Sequence, residues 1–209
     1  HGIRDFCLSR GLGDVYKRQQ LTKQVIIGTK SQSRRKIFKL MNLKFQYRSP
    51  NINEKKVKDL NNDKYDALKI AKAKAEYLSK KYSNKIIVTF DTAILFKKKT
   101  IYKCGNPECC KRTLKAFNDK SHELYTAMIF MINNKLIKST LTKTNIVFKN
   151  TRVRDMNNYV EKNFKQVSKA VGCYNIEGKG KIFFKDISGS YFNIIGVDAI
   201  NFLKTLNSI

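Results

Sequence analysis

The chain has 209 residues, 42% of them hydrophobic, enough for one sizeable core or at most two small domains. No apolar run approaches the roughly 20 residues of a membrane span, and no charged-then-apolar leader with a small-residue cleavage site is visible; a soluble cytoplasmic protein without membrane partners is expected. The 43 Lys and Arg stand against 16 Asp and Glu, a formal net charge of +27, which attracts polyanions, whether nucleic acid or nucleotides.

Lys and Asn are scattered through the whole sequence, and there is no zinc finger, RNP motif or Arg-rich arm. The plain reading is a compositional bias spread over solvent faces, and nucleic-acid binding is not expected as the main role. The five cysteines are Cys7, Cys104, Cys109, Cys110 and Cys173. Their odd number and irregular spacing argue against a disulfide framework. Cys104, Cys109 and Cys110 hint at zinc, but no second ligand pair follows at zinc-site spacing, and His1 and His122 are far off. Free thiols are expected.

Residues 1–20 show no sustained period and carry Gly11 and Gly13. They are set aside as an appended or poorly ordered segment, and the domain is placed at 21–209. Val25-Ile26-Ile27 is a short apolar run ending at Gly28. Thr29, Ser31 and Ser33 follow, then Arg34 and Arg35, then Ile37, Leu40 and Met41 at helical spacing. This reads as strand, polar loop, helix. Such a loop aims free N–H groups and the positive helix end at one point, which would suit a phosphate, with a simple turn of the chain as the plain alternative.

A short strand is expected at Phe45–Tyr47, then a loop from Arg48 to Glu54 punctuated by Pro50. Lys64–Tyr82 is expected to be a helix with a stripe of Leu68, Ala71, Ala75, Leu78 and Tyr82. Lys74 points into that stripe. It either snorkels to the rim or reaches an anion in a cleft, since an unpaired buried ammonium is costly. Ile86–Phe90 reads as a buried strand, with Asp91 and Thr92 at its carboxyl end. Ligands of open α/β sheets collect there, so Asp91 is a candidate metal ligand or general base, with a turn or cap residue as the plain alternative.

A hairpin tip is expected at Lys97-Lys98-Lys99, a helix over Pro107–Phe117, and strands over Leu124–Ile132 and Leu136–Phe148 joined at Asn133-Asn134. A helix over Met156–Phe164 precedes the glycine-rich loop Gly172–Gly180. A strand at Ile182–Phe184, a turn over Asp186–Ser190 and a closing helix over Val197–Leu206 complete the chain. The class is α/β or α+β.

In this order the landmarks resemble the Maf family, the Maf-like nucleoside triphosphate pyrophosphatases, over about residues 24–206. The family's Ser-x-Ser-Pro-x-Arg stands here as Thr29-Lys30-Ser31-Gln32-Ser33-Arg34. Its loop glutamate resembles Glu54, its Lys-Ala pair Lys74-Ala75, and its Asp-Thr Asp91-Thr92. Gly-Lys-Pro is reduced to Tyr102-Lys103-Cys104. His122 and Thr126 match His-x-x-x-Thr, and Gly172–Gly180 is similar to Ala-Gly-x-Tyr-x-Ile-Gln-Gly-x-Gly, with Glu177 where many members have Gln. Ser188-Gly189-Ser190-Tyr191 and Ile195-Gly196-Val197 resemble the last motif, with Asp198 in place of a proline.

The resemblance implies an inosine-triphosphatase-like fold, a long bent mixed sheet flanked by helices with a cleft between two lobes. It implies a hydrolase that cleaves a nucleoside triphosphate, modified or non-canonical in the pool-cleaning reading, between the α and β phosphorus atoms. It implies Mg²⁺ or Mn²⁺ held by Glu54 and Asp91. Asp91, Glu54 and Lys74 would be catalytic, Ser31, Arg34, Lys74 and Lys103 would bind phosphate, and Glu177 would meet the base. The branch with Glu at that position includes members acting on 7-methylguanosine triphosphate. Some members are linked to septum formation, and a homodimer stays open. A pyrophosphatase of the inosine-triphosphate type is disfavoured by the opening and glycine-rich motifs. The alternative from another class is a basic nucleic-acid-binding or septation-linked regulator that keeps the fold without turnover.

Overall fold

A computed structural model describes residues 24–57, 60–61 and 63–209. The segment 1–20, set aside above, lies outside the described residues. The order of elements is β1 (Val25–Gly28), α1 (Gln32–Leu40), β2 (Gln46–Arg48), a 3₁₀ turn (Glu54–Lys56), α2 (Asp66–Lys81), β3 (Ile86–Phe96), β4 (Lys99–Ile101), α3 (Pro107–Phe117), β5 (Ser121–Ile132), β6 (Lys135–Phe148), α4 (Val153–Val167), 3₁₀ turns at Val171–Cys173 and Lys179–Phe183, β7 (Phe184–Ser188), α5 (Tyr191–Ile195) and α6 (Ala199–Asn207). The strands form one mixed seven-stranded sheet in the order β2-β1-β3-β5-β6-β7, with β4 on β3. β1 runs parallel to β2 and β3, and the remaining pairs are antiparallel.

Alternation along β3 assigns its two faces. Val88 and Phe90 pack with Phe38 of α1 and Phe202 of α6, whereas Ile87 packs with Ala71, Ala75 and Leu78 of α2. A further cluster joins Leu114 and Phe117 of α3, Met156 and Val160 of α4, and Ile146 and Phe148 of β6. The sheet is thus flanked by helices on both faces, as the sequence implies. The helices begin where short polar side chains hold free N–H groups: Ser31 for α1, Asn106 followed by Pro107 for α3, Ser190 for α5 and Asp198 for α6. The Asp198 that replaces the motif proline thus caps α6, and it also accepts from the Thr142 hydroxyl of β6.

Three readings need correction. β3 does not end at Phe90 but continues to Phe96. One edge of β3 pairs with β5 from Ile87 to Leu95. The other pairs with β1 only up to Thr89 and with β4 only from Ile94. Asp91 therefore sits beyond the carboxyl end of β1, in a gap on that edge, inside a continuous strand. The segment expected as a strand at Ile182–Phe184 is mostly a 3₁₀ turn, and the strand runs Phe184–Ser188 through the expected turn. Finally, Cys104 and Cys109 are disulfide-bonded rather than free. The bend at Gly105-Asn106 and the first turn of α3 between them bring their Cα atoms to 5.4 Å.

Candidate active site

Three elements bring Glu54, Lys74 and Asp91 together. Glu54 opens the 3₁₀ turn after β2, whose cap is the Asn53 side chain accepting from Lys55 N–H. Lys74 lies one turn before Leu78 on the apolar face of α2 and is 8% exposed. Its Nζ donates to Asp91 Oδ1 at 2.6 Å and stands 2.6 Å from Glu54 Oε1. The inward-facing lysine is therefore not snorkelling: its ammonium bridges two carboxylates from different elements, the position a cation takes. Close packing holds the bridge. A Cβ on Gly28, at the end of β1, would come within 2.6 Å of Leu78 and 2.7 Å of Thr89, so only glycine lets α2 lie this close to the sheet.

Arg34 reaches the same place from the other face. Nε donates to the Gly196 carbonyl at 2.8 Å, one terminal nitrogen to the Phe90 carbonyl at 3.3 Å, and the other to Thr92 Oγ1 at 3.0 Å. The Phe90 carbonyl belongs to the gap on the β3 edge, so Arg34 supplies a hydrogen bond that a strand would otherwise make. Gly196 has φ +97°, and a Cβ there would meet Arg34 Nε at 2.9 Å. Of the five guanidinium N–H groups, two remain to point elsewhere. Sequence reasoning treated Arg34 as a phosphate ligand only; it is also a clamp. Of the residues that hold it, Thr92 was visible at the polar end of a strand, whereas Gly196 and, behind them, Thr126 were visible only as family motif positions. Thr126 Oγ1 lies 3.1 Å from Thr92 Oγ1 and donates to the Asn193 carbonyl at 3.0 Å.

The two carboxyls are driven apart. Burial pushes Asp91 up, helped by Glu54, and the opposing pull of Lys74 and Arg34 leaves it above the ordinary carboxylate range. Burial acts the same way on Glu54, but Lys74, Lys103 and Arg34 together outweigh it and hold Glu54 below that range. Carboxylates separated in this way suit one as base and one as a permanently ionised ligand. Lys103 is exposed on the loop after β4, near enough to act on Glu54. Ser31 contributes its hydroxyl to Arg34 N–H at 3.3 Å, at the start of α1. Burial draws the Arg34 pKa down, against Asp91 and Glu54, yet a guanidinium stays charged.

The donor set fits a hard divalent cation. Lys74 engages one oxygen of each carboxylate, leaving Glu54 Oε2 and Asp91 Oδ2. Two carboxylates completed by phosphate oxygens and water match the habit of Mg²⁺. Among the described residues no third carboxylate, His or Cys joins them.

The structure does not join Glu177 to this cluster. It is exposed, its N–H donates to Asn175 Oδ1, and its charge acts on Tyr191. His122 is buried, stacked on Phe117, with Nε2 2.9 Å from the Tyr174 hydroxyl.

The family model described as Maf-like protein matches residues 24–209. A nucleoside triphosphate pyrophosphatase of Pelagibacter ubique is 28% identical over 85% of this chain and 93% of its own length. A dTTP/UTP pyrophosphatase of Fusobacterium nucleatum is 30% identical over 88% of this chain and 95% of its own. A solved structure of a HAM1 protein from Coxiella burnetii aligns with 60% of this chain and 73% of its own at 13% identity and a TM-score of 0.39. With the family model spanning residues 24–209, the chain belongs to the Maf family of Maf-like proteins.

Proposed function

We propose that this protein is a nucleoside triphosphate pyrophosphatase, a metal-dependent hydrolase that converts a nucleoside triphosphate and water to the monophosphate and pyrophosphate. One observation carries the reading beyond family membership: Lys74 Nζ lies 2.6 Å from both Glu54 and Asp91, whose pKa values are pushed in opposite directions. Asp91, raised by burial, takes the proton from the attacking water as the phosphoanhydride breaks. Glu54 stays ionised. The free N–H groups of Arg34, with Ser31, Lys74 and Lys103, receive the phosphate oxygens as charge builds on them. Mg²⁺ or Mn²⁺ held by Glu54 and Asp91 would neutralise the triphosphate and polarise its oxygens. The substrate is a non-canonical or modified nucleotide, with Glu177 facing the base, and pool cleaning in the cytoplasm is the matching role.

The names of the relatives support the reaction class. The rival is a basic nucleic-acid-binding or septation-linked regulator with the fold but without turnover, for which the charge of +27 speaks. The full chain incubated with a panel of triphosphates, with and without Mg²⁺, separates the two. Phosphate should appear only when an inorganic pyrophosphatase is added. Phosphate without the added enzyme would mean terminal cleavage. No product beside a salt-sensitive shift of DNA or RNA would favour the regulator.

A further inference from the structure

Three cysteines from two distant stretches of the chain, Cys104 and Cys110 on one side and Cys173 on the other, meet at one buried point, and a fourth, half-buried Cys109, is bonded to Cys104. Cys104 follows Lys103 on the loop after β4, Cys109 and Cys110 lie in the first turn of α3, and Cys173 sits in the 3₁₀ turn after α4. The sulfurs of Cys104, Cys110 and Cys173 all lie within 4.8 Å of one another. Cys109 lies outside this three-sulfur group in the oxidised form but is bonded to Cys104, so reduction would free its side chain to turn toward the same point. Cys104, Cys110 and Cys173 are 3% exposed or less.

We propose that, once the Cys104–Cys109 disulfide is reduced, Cys104, Cys109, Cys110 and Cys173 bind a zinc-class cation as a closed tetrathiolate site. This rests on the side-chain cluster alone and is independent of the reading of Glu54 and Asp91. A tetrahedral thiolate centre with Zn–S near 2.3 Å spaces its sulfurs roughly 3.8 Å apart, within the separation seen here. Cys104 and Cys109 have four residues between them, inside the usual spacing of a zinc ligand pair. The second pair, Cys110 and Cys173, is assembled by the packing of α3 against the turn after α4.

Burial, with Cys110 beside it, pushes the Cys173 thiol up, so an entering cation would have to displace its proton, while the end of α3 acts the other way. Cys109 and Cys110 occupy the positive end of α3, where Asn106 caps the Cys109 N–H. Thr113 Oγ1 lies 3.5 Å from Cys104 Sγ, able to donate to a bound thiolate from outside the ligand set. Cys173 holds φ 62°, uncommon without glycine, directly after Gly172 at φ 83°. Soft sulfur ligands discriminate against Mg²⁺, so this centre and the carboxylate pair take different ions. The steps balance with a dithiol reductant. It gives two electrons and two protons to the Cys104–Cys109 bond and becomes a disulfide itself. Metal entry then releases one proton from each of the four thiols. The bound ion would tie the Lys103 loop to α3 and to the glycine-rich turn.

The test uses the full chain reduced with a dithiol under argon, desalted, and titrated with Co²⁺ alone. One Co²⁺ per chain is expected, with the thiolate charge-transfer band and the intense visible bands of a tetrahedral centre, both lost on adding Zn²⁺. Cys7→Ser and Glu54→Gln should keep the spectrum. Cys173→Ser and Cys110→Ser should weaken binding at least about a hundredfold, beyond what losing a partner outside the ligand set costs. The wild-type spectrum decides the matter even where a cysteine variant does not fold. Reduced wild-type protein with four free thiols at this cluster that leaves Co²⁺ six-coordinate and aqueous overturns the proposal. So does a folded Cys173→Ser variant with wild-type cobalt affinity.

Discussion

Thr89 Oγ1 donates to the Ala71 carbonyl at 2.6 Å, and both residues are fully buried. This bond locks α2 to β3 one turn before Lys74 and two residues before Asp91. It therefore sets the spacing of the ammonium and the carboxylate. Thr89→Val keeps the shape and removes the donor, at a cost of about 1 kcal/mol. With the lock gone, kcat should fall roughly tenfold to a hundredfold while KM stays near wild type. Thr89→Ser should restore the rate. A Val variant of reduced Tm but normal kcat would make the bond purely structural.

Asp91 carries an opposing pair of effects. Its pKa in the folded protein is raised by burial above the ordinary value. A raised carboxyl binds its proton more tightly in the fold, so its contribution to stability is greatest at low pH. That contribution is lost as pH rises from the unfolded value through the raised one. At neutral pH the ionised group opposes folding, and Asp91→Asn should leave Tm unchanged or higher. Turnover should nonetheless fall at least about a hundredfold at saturating Mg²⁺. The acid limb of the kcat/KM profile should go with it. A variant with near-normal rate and an intact acid limb would remove Asp91 from the base role.

Much of this arrangement was legible in the sequence, and the residues show why. Helical period put Lys74 on the apolar stripe of α2 and left two readings, a snorkelling side chain or one that reaches an anion in a cleft, between which only the tertiary contacts decide. Asn133 and Asn134, both with positive φ, formed the expected hairpin turn. The extent of β3 was not legible. The break after Phe90 reflects polar Asp91 and Thr92, and nothing local shows that pairing with β5 carries the strand on to Phe96. The clamp on Arg34 was hidden for the same reason: its acceptors on Gly196, Phe90 and Thr92 come from distant segments. The cysteine cluster follows suit, since spacing displays Cys104 and Cys110 but not their approach to Cys173.

Arg34 and Lys74 should separate in experiment. Arg34→Ala leaves the carbonyls of Gly196 and Phe90 without their guanidinium donor and should cost at least about 2 kcal/mol of stability. Arg34→Lys should not rescue it, because an ammonium lacks the planar fork. Lys74→Met removes a charge that two carboxylates hold. The variant should fold, lose most turnover and lose affinity for triphosphate. Denaturant unfolding beside steady-state kinetics distinguishes the two. Equal stability losses in both variants would contradict a clamp at Arg34 alone.

His122 supplies a pH dependence. Burial draws its pKa down to about 3, so it remains neutral in the fold where the unfolded chain protonates. Stability from this group is complete above pH about 6.5 and declines as pH falls towards the folded value, by roughly 1.4 kcal/mol per unit. His122→Gln, which keeps a polar partner for Tyr174, should be less stable at pH 7 but flatter between pH 6 and 4. Parallel slopes in wild type and variant, measured by urea unfolding across that range, would assign the acid sensitivity elsewhere.

Base choice is the sharpest remaining test, and Glu177 frames it. A carboxylate only accepts hydrogen bonds. Guanine presents adjacent N1–H and N2–H₂ donors, and the cationic ring of 7-methylguanine adds charge attraction. Uracil and thymine mix carbonyl acceptors with a single N–H, which suits the Gln that many members carry. Against this stand the relatives named dTTP/UTP pyrophosphatases and the exposed position of Glu177, whose charge acts on Tyr191. A paired contact should discriminate by roughly 1–3 kcal/mol, about tenfold to two-hundredfold. kcat/KM is expected to be higher for GTP, and higher again for its 7-methyl form, than for dTTP or UTP. Glu177→Gln should narrow that gap without changing the rate on the weaker substrates. Efficient dTTP and UTP hydrolysis that is indifferent to Glu177→Gln would make Glu177 a surface carboxylate and give this chain the preference named for its relatives.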